Sequence, residues 1–408
     1  MPNAKFDWCD SSDPDTNIAN RKLNYSTGKV LGGTSCTNNM LYNRGDANDY
    51  KNWSESVKDE EWSADNVLTF FKMSEDDSRG ASKYHGTGGE FNVSDVRYQN
   101  PLSKAFLAVC GENGLPANDD FNDWSRPQEG YGRYQVNEKE GSRCSTASGF
   151  LAPAMKRRNL TVVPNAMVTR VTFSGTEAVG VDAFIDSCRQ HIVLKHCGEI
   201  ILTAGAVSNP QILLLSGIGP RSHLHHYGVA DIVELPGVGK NLQDQATALV
   251  TYECIGGNEG TSLTSVTRIT GTALQNPKSV LEWLVTKSGP FTSPGPDHGA
   301  FFKTKEKLAS PDLQIKFVAA VSSRADGLKL HSSKVRVINA SPLKAKEMYL
   351  YIDDIVFHFT VTDQLFGSNI RDTFSGHKSR KLAFQLLLDQ PDGPTHPTYT
   401  RSRGECSS

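Results

Sequence analysis

No apolar run in this 408-residue chain approaches the length of a bilayer-spanning helix, so none is expected. Surplus charge is equally scarce. Forty-three Lys and Arg stand against 45 Asp and Glu, a net charge of −2, which gives no reason to expect nucleic acid as a partner. A short basic run, Lys156-Arg157-Arg158, falls where a helix is expected to end and suits a solvated cap. The eight cysteines contain no C-x-x-C pair. That argues against zinc and against a thioredoxin-like redox centre, while leaving disulfides open. No metal ligand set is assigned. The string G-x-G-x-x-G is missing too: Gly217-Ile218-Gly219 and Gly237-Val238-Gly239 both lack the third glycine. There is no internal repeat. The opening Met1-Pro2-Asn3-Ala4-Lys5-Phe6 has no apolar core, so no signal peptide is expected in this chain.

What is present is the composition of a globular protein, 38% hydrophobic and 22% charged, long enough for two domains or one core with a second lobe. Apolar spacing predicts helices over 64–73, 101–113, 212–215 and 277–287. A strand is expected at 90–93, after the turn cluster of residues 84–89. The β-branched runs 160–163, 168–173, 178–185 and 192–203 predict an antiparallel meander. Apolar runs recur at 348–355 and 382–388, and the Pro/Gly/Ser/Thr-rich tail 389–408 is expected to pack poorly.

The segment with most chemistry is Gly28-Lys29-Val30-Leu31-Gly32-Gly33-Thr34-Ser35-Cys36-Thr37-Asn38-Asn39-Met40-Leu41-Tyr42-Asn43-Arg44-Gly45. Adjacent glycines followed by two hydroxyl residues let backbone N–H groups come close to an anionic or polar ligand, and the hydroxyls add donors. Such a loop suits a pyrophosphate or a flavin edge. On physics alone, a tight turn with no ligand is the preferred reading.

This stretch resembles the first signature of the glucose–methanol–choline oxidoreductases, G-[K/R]-x-L-G-G-[S/T]-S-x-x-N-x-M. Phe6-Asp7-Trp8 and Arg21-Lys22-Leu23-Asn24-Tyr25 resemble the arthropod glucose-dehydrogenase-like branch. A second match, 202–220, contains Leu202-Thr203-Ala204-Gly205-Ala206, read as a buried strand turning into a helix, with Ser208-Asn209 in place of the usual Asn-Ser order. A third, Pro236-Gly237-Val238-Gly239-Lys240-Asn241-Leu242-Gln243-Asp244-Gln245, carries Gln245 where the family has His. The resemblance implies a mixed α/β fold, an FAD-binding domain joined to an antiparallel-sheet substrate domain. It implies FAD as cofactor, with Gly32, Gly33, Thr34 and Ser35 at its phosphates and Asn38 by the flavin ring. Asn39, Met40 and Leu41 continue that lining. Val168 would meet adenine, and Ala204 and Gly205 would lie against the cofactor.

The implied reaction is oxidation of a CH–OH donor, an alcohol or sugar, by hydride transfer to flavin N5. The electron acceptor is left open between oxygen, a quinone and another protein. The family's opening βαβ unit and closing His-containing segment are both expected to be missing, so the FAD-binding part is expected to be incomplete. Arg401-Ser402-Arg403-Gly404 resembles a strand start that precedes the closing segment. The expected division is an FAD-binding part over 1–250 and a partial substrate part over 251–400. A degenerate, non-catalytic relative serving as a scaffold is the alternative. Among the histidines, His223, His225 and His226 suit an exposed helix, and His298 is the better candidate for a base. No catalytic residue is assigned. The resemblance allows an extracellular enzyme, and the compartment is otherwise open.

Overall fold

The computed structural model describes residues 5–18, 20–245, 248–253, 277–318 and 335–342. The expectations for 348–355, 382–388, 389–408 and 401–404 lie outside the described residues. The chain forms two compact units. One is built on 28–153 with the later strands, the other on 8–27 and 154–244. This grouping follows strand pairing rather than chain order, so it cuts across a division at residue 250. The class is mixed α/β with antiparallel sheets, as the sequence implied.

The first unit holds a five-stranded sheet in the order Ala248–Glu253, Val335–Pro342, Leu313–Val318, His298–Phe302, Gly130–Arg133, antiparallel throughout. Leu313, Ile315 and Phe317 are buried at alternate positions of one strand. Phe106 stacks on Phe317 at 5.0 Å and brings the helix Pro101–Glu112 onto the sheet. That helix starts where local chemistry dictates: Pro101 is its first residue, and the Asn100 side chain accepts from Leu102 N–H at 3.0 Å. The core gathers Phe121, Tyr134 and Phe301, with Leu41 packed against them. Tyr134 keeps its hydroxyl satisfied by donating to Ile315 O at 2.7 Å. A second, four-stranded sheet orders Leu41–Tyr42, Gln135–Val136, Phe91–Asp95 and Glu75–Asp77. The helix Ala47–Val57 precedes Ala64–Ser74, its entry fixed by a capping box between Asp46 and Asp49.

The second unit is the expected meander, realised as Ala166–Ser174, Glu177–Ile185 and Cys188–Val193. The helix Gly205–Leu215 lies on its first strand, held by Val171 N–H donating to Ser216 Oγ at 2.8 Å. Two expectations need correction. Residues 160–163 form no strand, and the third strand stops at Val193 instead of running to 203. Ile201, expected in a buried strand, is 77% exposed. β-Branched composition supplies propensity only, and a strand also needs an edge to pair with. Beyond Leu194, whose N–H still donates to Val179 O at 2.8 Å, no described strand pairs with either segment. The helix expected at 212–215 begins earlier, at Gly205, and Gly205–Leu215 has no residue buried by the described residues.

Candidate functional site

The loop 28–41 folds back on itself. Gly28 passes so close to Gly33 that a Cβ at 28 would lie 2.3 Å from the Gly33 carbonyl oxygen. Gly32 has φ +92°, and its Cβ would meet Cys36 Sγ at 2.8 Å and the Ala147 Cβ at 2.9 Å. A side chain is excluded at both positions, by proximity at the first and by backbone conformation as well at the second. A short 3-10 helix, Gly33–Cys36, follows. At Gly33 an added Cβ meets nothing within 4 Å, so that side of the backbone is open. Thr34, Thr37, Asn38 and Asn39 are all exposed.

The two hydroxyls expected to face a ligand brace the loop. Ser35 Oγ donates to Gly32 O at 2.6 Å and accepts from Thr146 N–H at 3.0 Å. Thr34 Oγ1 accepts from Gly28 N–H at 3.2 Å, and its own proton remains able to point outward. Asn38 Oδ1 accepts from Met40 N–H at 3.0 Å and from Arg143 Nη1 at 2.8 Å, while Arg143 also donates to Ser35 O at 3.1 Å. One guanidinium thus sets both the 3-10 turn and the Asn38 amide. Met40 takes φ +57°, a left-handed conformation uncommon outside glycine, and its carbonyl accepts from Asn137 N–H at 2.8 Å. Leu41 turns to the core and anchors the loop's exit. Eight of the predicted residues, Gly32 to Ser35 and Asn38 to Leu41, therefore lie on one braced loop. Val168, Ala204 and Gly205 lie in the other unit. Val168 pairs with Ala183 beside a bulge, and Ala204 and Gly205 are exposed at the start of their helix. There Asn209 Oδ1 accepts from Ala204 N–H at 2.7 Å, so the residue out of family order holds the turn.

The loop fits a dinucleotide cofactor such as FAD on its open face. Gly33 leaves its side of the backbone open, and its own N–H is taken by Val30 O at 2.9 Å. The next N–H groups of the 3-10 turn, those of Thr34 and Ser35, lack carbonyl partners within the helix and have short polar side chains around them.

Immediately after the loop, Arg44 enters a buried polar cluster that sequence reading missed. Its guanidinium donates to Glu75 Oε2 at 2.6 Å, to Tyr84 O at 2.5 Å and to Tyr42 Oη at 3.1 Å. Both charged side chains of the Arg44–Glu75 pair are fully buried. Glu75 also accepts from Gly86 N–H, and His85 Nδ1 lies 3.1 Å from Glu75 Oε1 and 2.9 Å from Asp77 Oδ2. On its other side His85 Nε2 lies 3.0 Å from Asp120 Oδ2. Burial would lower the His85 pKa, but the close carboxylates of Asp120, Asp77 and Glu75 outweigh it and push it up to about 11. Burial likewise opposes ionisation of Asp77 and Asp120, yet the His85 contacts hold both carboxyls below the usual carboxylate value. Glu75, Asp77 and His85 come within the reach of one metal ion. Here a proton on His85, with Arg44, supplies the positive charge that an ion would.

These shifts carry a sign. The His85 contribution is complete below its ordinary pKa of 6.5 and is lost as pH rises from there through about 11. The Asp77 and Asp120 contributions are complete above 3.8 and lost as pH falls through their lowered values. The difference in melting temperature between wild type and His85→Gln is therefore expected to be largest near pH 5–6, roughly, and to shrink toward pH 9–10. A difference that grows with alkalinity would show His85 neutral in the fold.

His298, the histidine favoured from sequence, is fully buried in the five-stranded sheet. Arg133 donates to Gln99 Oε1 at 3.2 Å, which turns Gln99 Nε2 toward His298 Nε2 at 3.3 Å. That network assigns the imidazole proton to Nδ1, which faces Asp297 Oδ1 at 2.6 Å. Both ring nitrogens are committed, as suits a structural histidine. The expected His cluster is exposed on Arg221–His226, where His225 Nε2 lies 2.7 Å from Asp231 Oδ1.

Beside the loop, Met40 and Arg143 line a cavity of about 400 Å³ with Glu138, Val280, Trp283 and Phe291. Glu138 is 2% exposed, and neither carboxylate oxygen has a hydrogen-bond partner among the described residues. Burial pushes its pKa up to about 7, against the pull of Arg97. Nothing in the local sequence marks this residue, because its isolation depends on where two arginines from elsewhere end up.

Comparison with known proteins agrees with this geometry. The family model described as GMC oxidoreductase matches residues 15–247. The chain is 38% identical over 330 residues to the fatty acid photodecarboxylase of Chlamydomonas reinhardtii, covering 79% of this chain and 53% of that protein. It is 35% identical over 338 residues to the alcohol dehydrogenase [acceptor] of Pseudomonas putida, covering 82% and 58%. It is 33% identical over 341 residues to an oxygen-dependent choline dehydrogenase of Brucella anthropi, covering 84% and 60%. The chain thus spans just over half the length of these curated relatives. Among solved structures, pyridoxine 4-oxidase from Mesorbium loti shares the fold with a TM-score of 0.68 at 22% identity, covering 85% of this chain and 62% of that one. A fungal aryl-alcohol oxidase does so with a TM-score of 0.70 at 19% identity, covering 83% and 66%. Matched over more than half its length, with the first signature folded as a braced loop, this chain belongs to the GMC oxidoreductase family.

Proposed function

We propose that this chain binds FAD along the 28–41 loop and acts as an oxidoreductase on a CH–OH donor, an alcohol or sugar. FAD, when bound, supplies the hydride acceptor at N5. The observation that carries the reading is the loop itself, closed at Gly28 and Gly32 where no side chain fits and open at Gly33. Gly33 N–H is held by Val30 O at 2.9 Å, so the N–H groups of Thr34 and Ser35 in the 3-10 turn would be the ones offered to phosphate, with the Thr34 hydroxyl beside them. Ser35 and Thr146 hold the turn in shape before ligand arrives, so little ordering is needed on binding. Arg143 orients Asn38 for the ring edge. Val168, Ala204 and Gly205 are proposed as further cofactor contacts. Relatives whose names specify alcohol and choline dehydrogenation support the donor class. The base that takes the hydroxyl proton is unassigned, since His298 has both nitrogens engaged.

A second reading is a relative that keeps the loop but holds no flavin. One observation favours it: the helix Gly205–Leu215, which lies within the second signature, has no side chain buried by the described residues. Absorbance decides between them. Purified full chain is expected to show a flavin band near about 450 nm that bleaches when an alcohol substrate is added without oxygen. Folded but colourless protein, unable to take up added FAD, overturns the enzyme reading.

A further inference from the structure

Among the described residues no donor comes within hydrogen-bond distance of the buried Glu138 carboxylate, and the structure explains why. Arg143 stands directly across the hairpin from Glu138 in the strand register, yet its guanidinium is committed to Ser35 and Asn38. Arg97 Nε stops 3.9 Å from Glu138 Oε1, outside hydrogen-bond distance, with its side chain 40% exposed. Lys287 lies over the Trp283 ring at 4.6 Å from its centroid. A buried carboxylate left this way costs free energy unless a partner arrives.

Part of the cavity wall is apolar, although Arg143, Ser142 and Thr292 also line it. Trp283 is fixed by donating its indole N–H to Gly141 O at 2.7 Å, which ties the helix Pro277–Thr286 to the tip of the hairpin. Phe291 and Val280 complete that side of the cavity of about 400 Å³. A cavity with aromatic walls and one polar group wanting donors is built like a small-molecule site. Two vacant oxygens call for a head group with several N–H donors and a compensating charge. A primary ammonium offers three donors and a hydroxyl only one.

We propose that this cavity binds a small molecule carrying a protonated primary amine on an apolar body, with Glu138 as its counter-ion. The assignment goes beyond the flavin reading and does not depend on it. The bound amine would span both carboxylate oxygens while its apolar part lies against Trp283 and Phe291.

Calorimetric titration of the full chain at about pH 8 tests this, with benzylamine as probe and benzyl alcohol as its neutral counterpart. Benzylamine is expected to bind saturably and at least about tenfold more tightly than the alcohol. Glu138→Gln keeps the side-chain shape and is expected to abolish that preference. Val280→Trp fills the cavity, leaves Glu138 in place and is expected to remove binding of both probes. Circular dichroism confirms that each variant is folded. The proposal is overturned if Glu138→Gln binds benzylamine as tightly as wild type does. Equal affinity of wild type for the two probes, or no binding of benzylamine at millimolar concentration, overturns it as well. Should Glu138→Gln fail to fold, benzylamine binding retained by Val280→Trp overturns it on its own. A colourless chain that still binds benzylamine would defeat the flavin reading alone.

Discussion

Arg44→Ala is expected to destabilise the first unit by about 3–5 kcal/mol, measured by chemical denaturation against wild type. The cost does not come from losing an attraction in water. It comes from leaving Glu75, whose side chain is fully buried, without the guanidinium 2.6 Å away. Tyr84 O and Tyr42 Oη lose their donor in the same step, and the guanidinium's contacts with the Phe71 and Tyr42 rings go with it. Arg44→Lys should recover only part of the loss, since one ammonium cannot donate along three fixed directions. Removing both charges tests the argument most sharply. Arg44→Met combined with Glu75→Leu should cost less than Arg44→Ala alone, because no charge is left unpaired. A loss below about 1 kcal/mol for Arg44→Ala would mean that water reaches Glu75.

The second large effect is on the cofactor. Gly32→Ala is expected to lower flavin retention at least about tenfold, read as the flavin-to-protein absorbance ratio after desalting. The added methyl meets Ala147 Cβ at 2.9 Å, and φ +92° is strained for any residue with a Cβ. Relief requires the loop to leave Thr146 and Ala147, which undoes the Ser35 brace. Gly28→Ala should act in the same direction through backbone, its Cβ lying 2.3 Å from Gly33 O. Gly33→Asn is the informative control. Its φ of +56° is one that asparagine tolerates, and the open space beside it accepts a side chain. It should fold with near-normal stability, and any flavin it loses reports direct obstruction of the open face. Flavin retention by Gly32→Ala equal to wild type would show that the loop's shape does not govern binding.

Much of this was legible in the chain. The helix start at 101 follows from Asn100 and Pro101, because caps act over three or four residues, while the helix capped by Asp46, Ala47–Val57, was missed. The meander follows from β-branched runs broken by turns, and the loop follows from the Gly32-Gly33 pair with its hydroxyl neighbours. Where prediction failed, at 160–163 and 195–203, propensity was present and no described strand pairs with the segment. His298 looked available only because its commitments to Asp297 and Gln99 come partly from a residue 199 positions away.

The sequence by itself determined the family, the helices near 64–73, 101–113 and 277–287, and the presence of the glycine loop, since these depend on residues close in the chain. Tertiary structure alone decided which polar groups are satisfied. It turned the Ser35 hydroxyl inward, protonated His85 among three carboxylates, and spent Arg143 on Asn38 rather than on Glu138. Each of those outcomes rests on partners brought together by folding across tens of residues. Solvation and charge in a buried site are set by what surrounds it, and local sequence does not specify the surroundings.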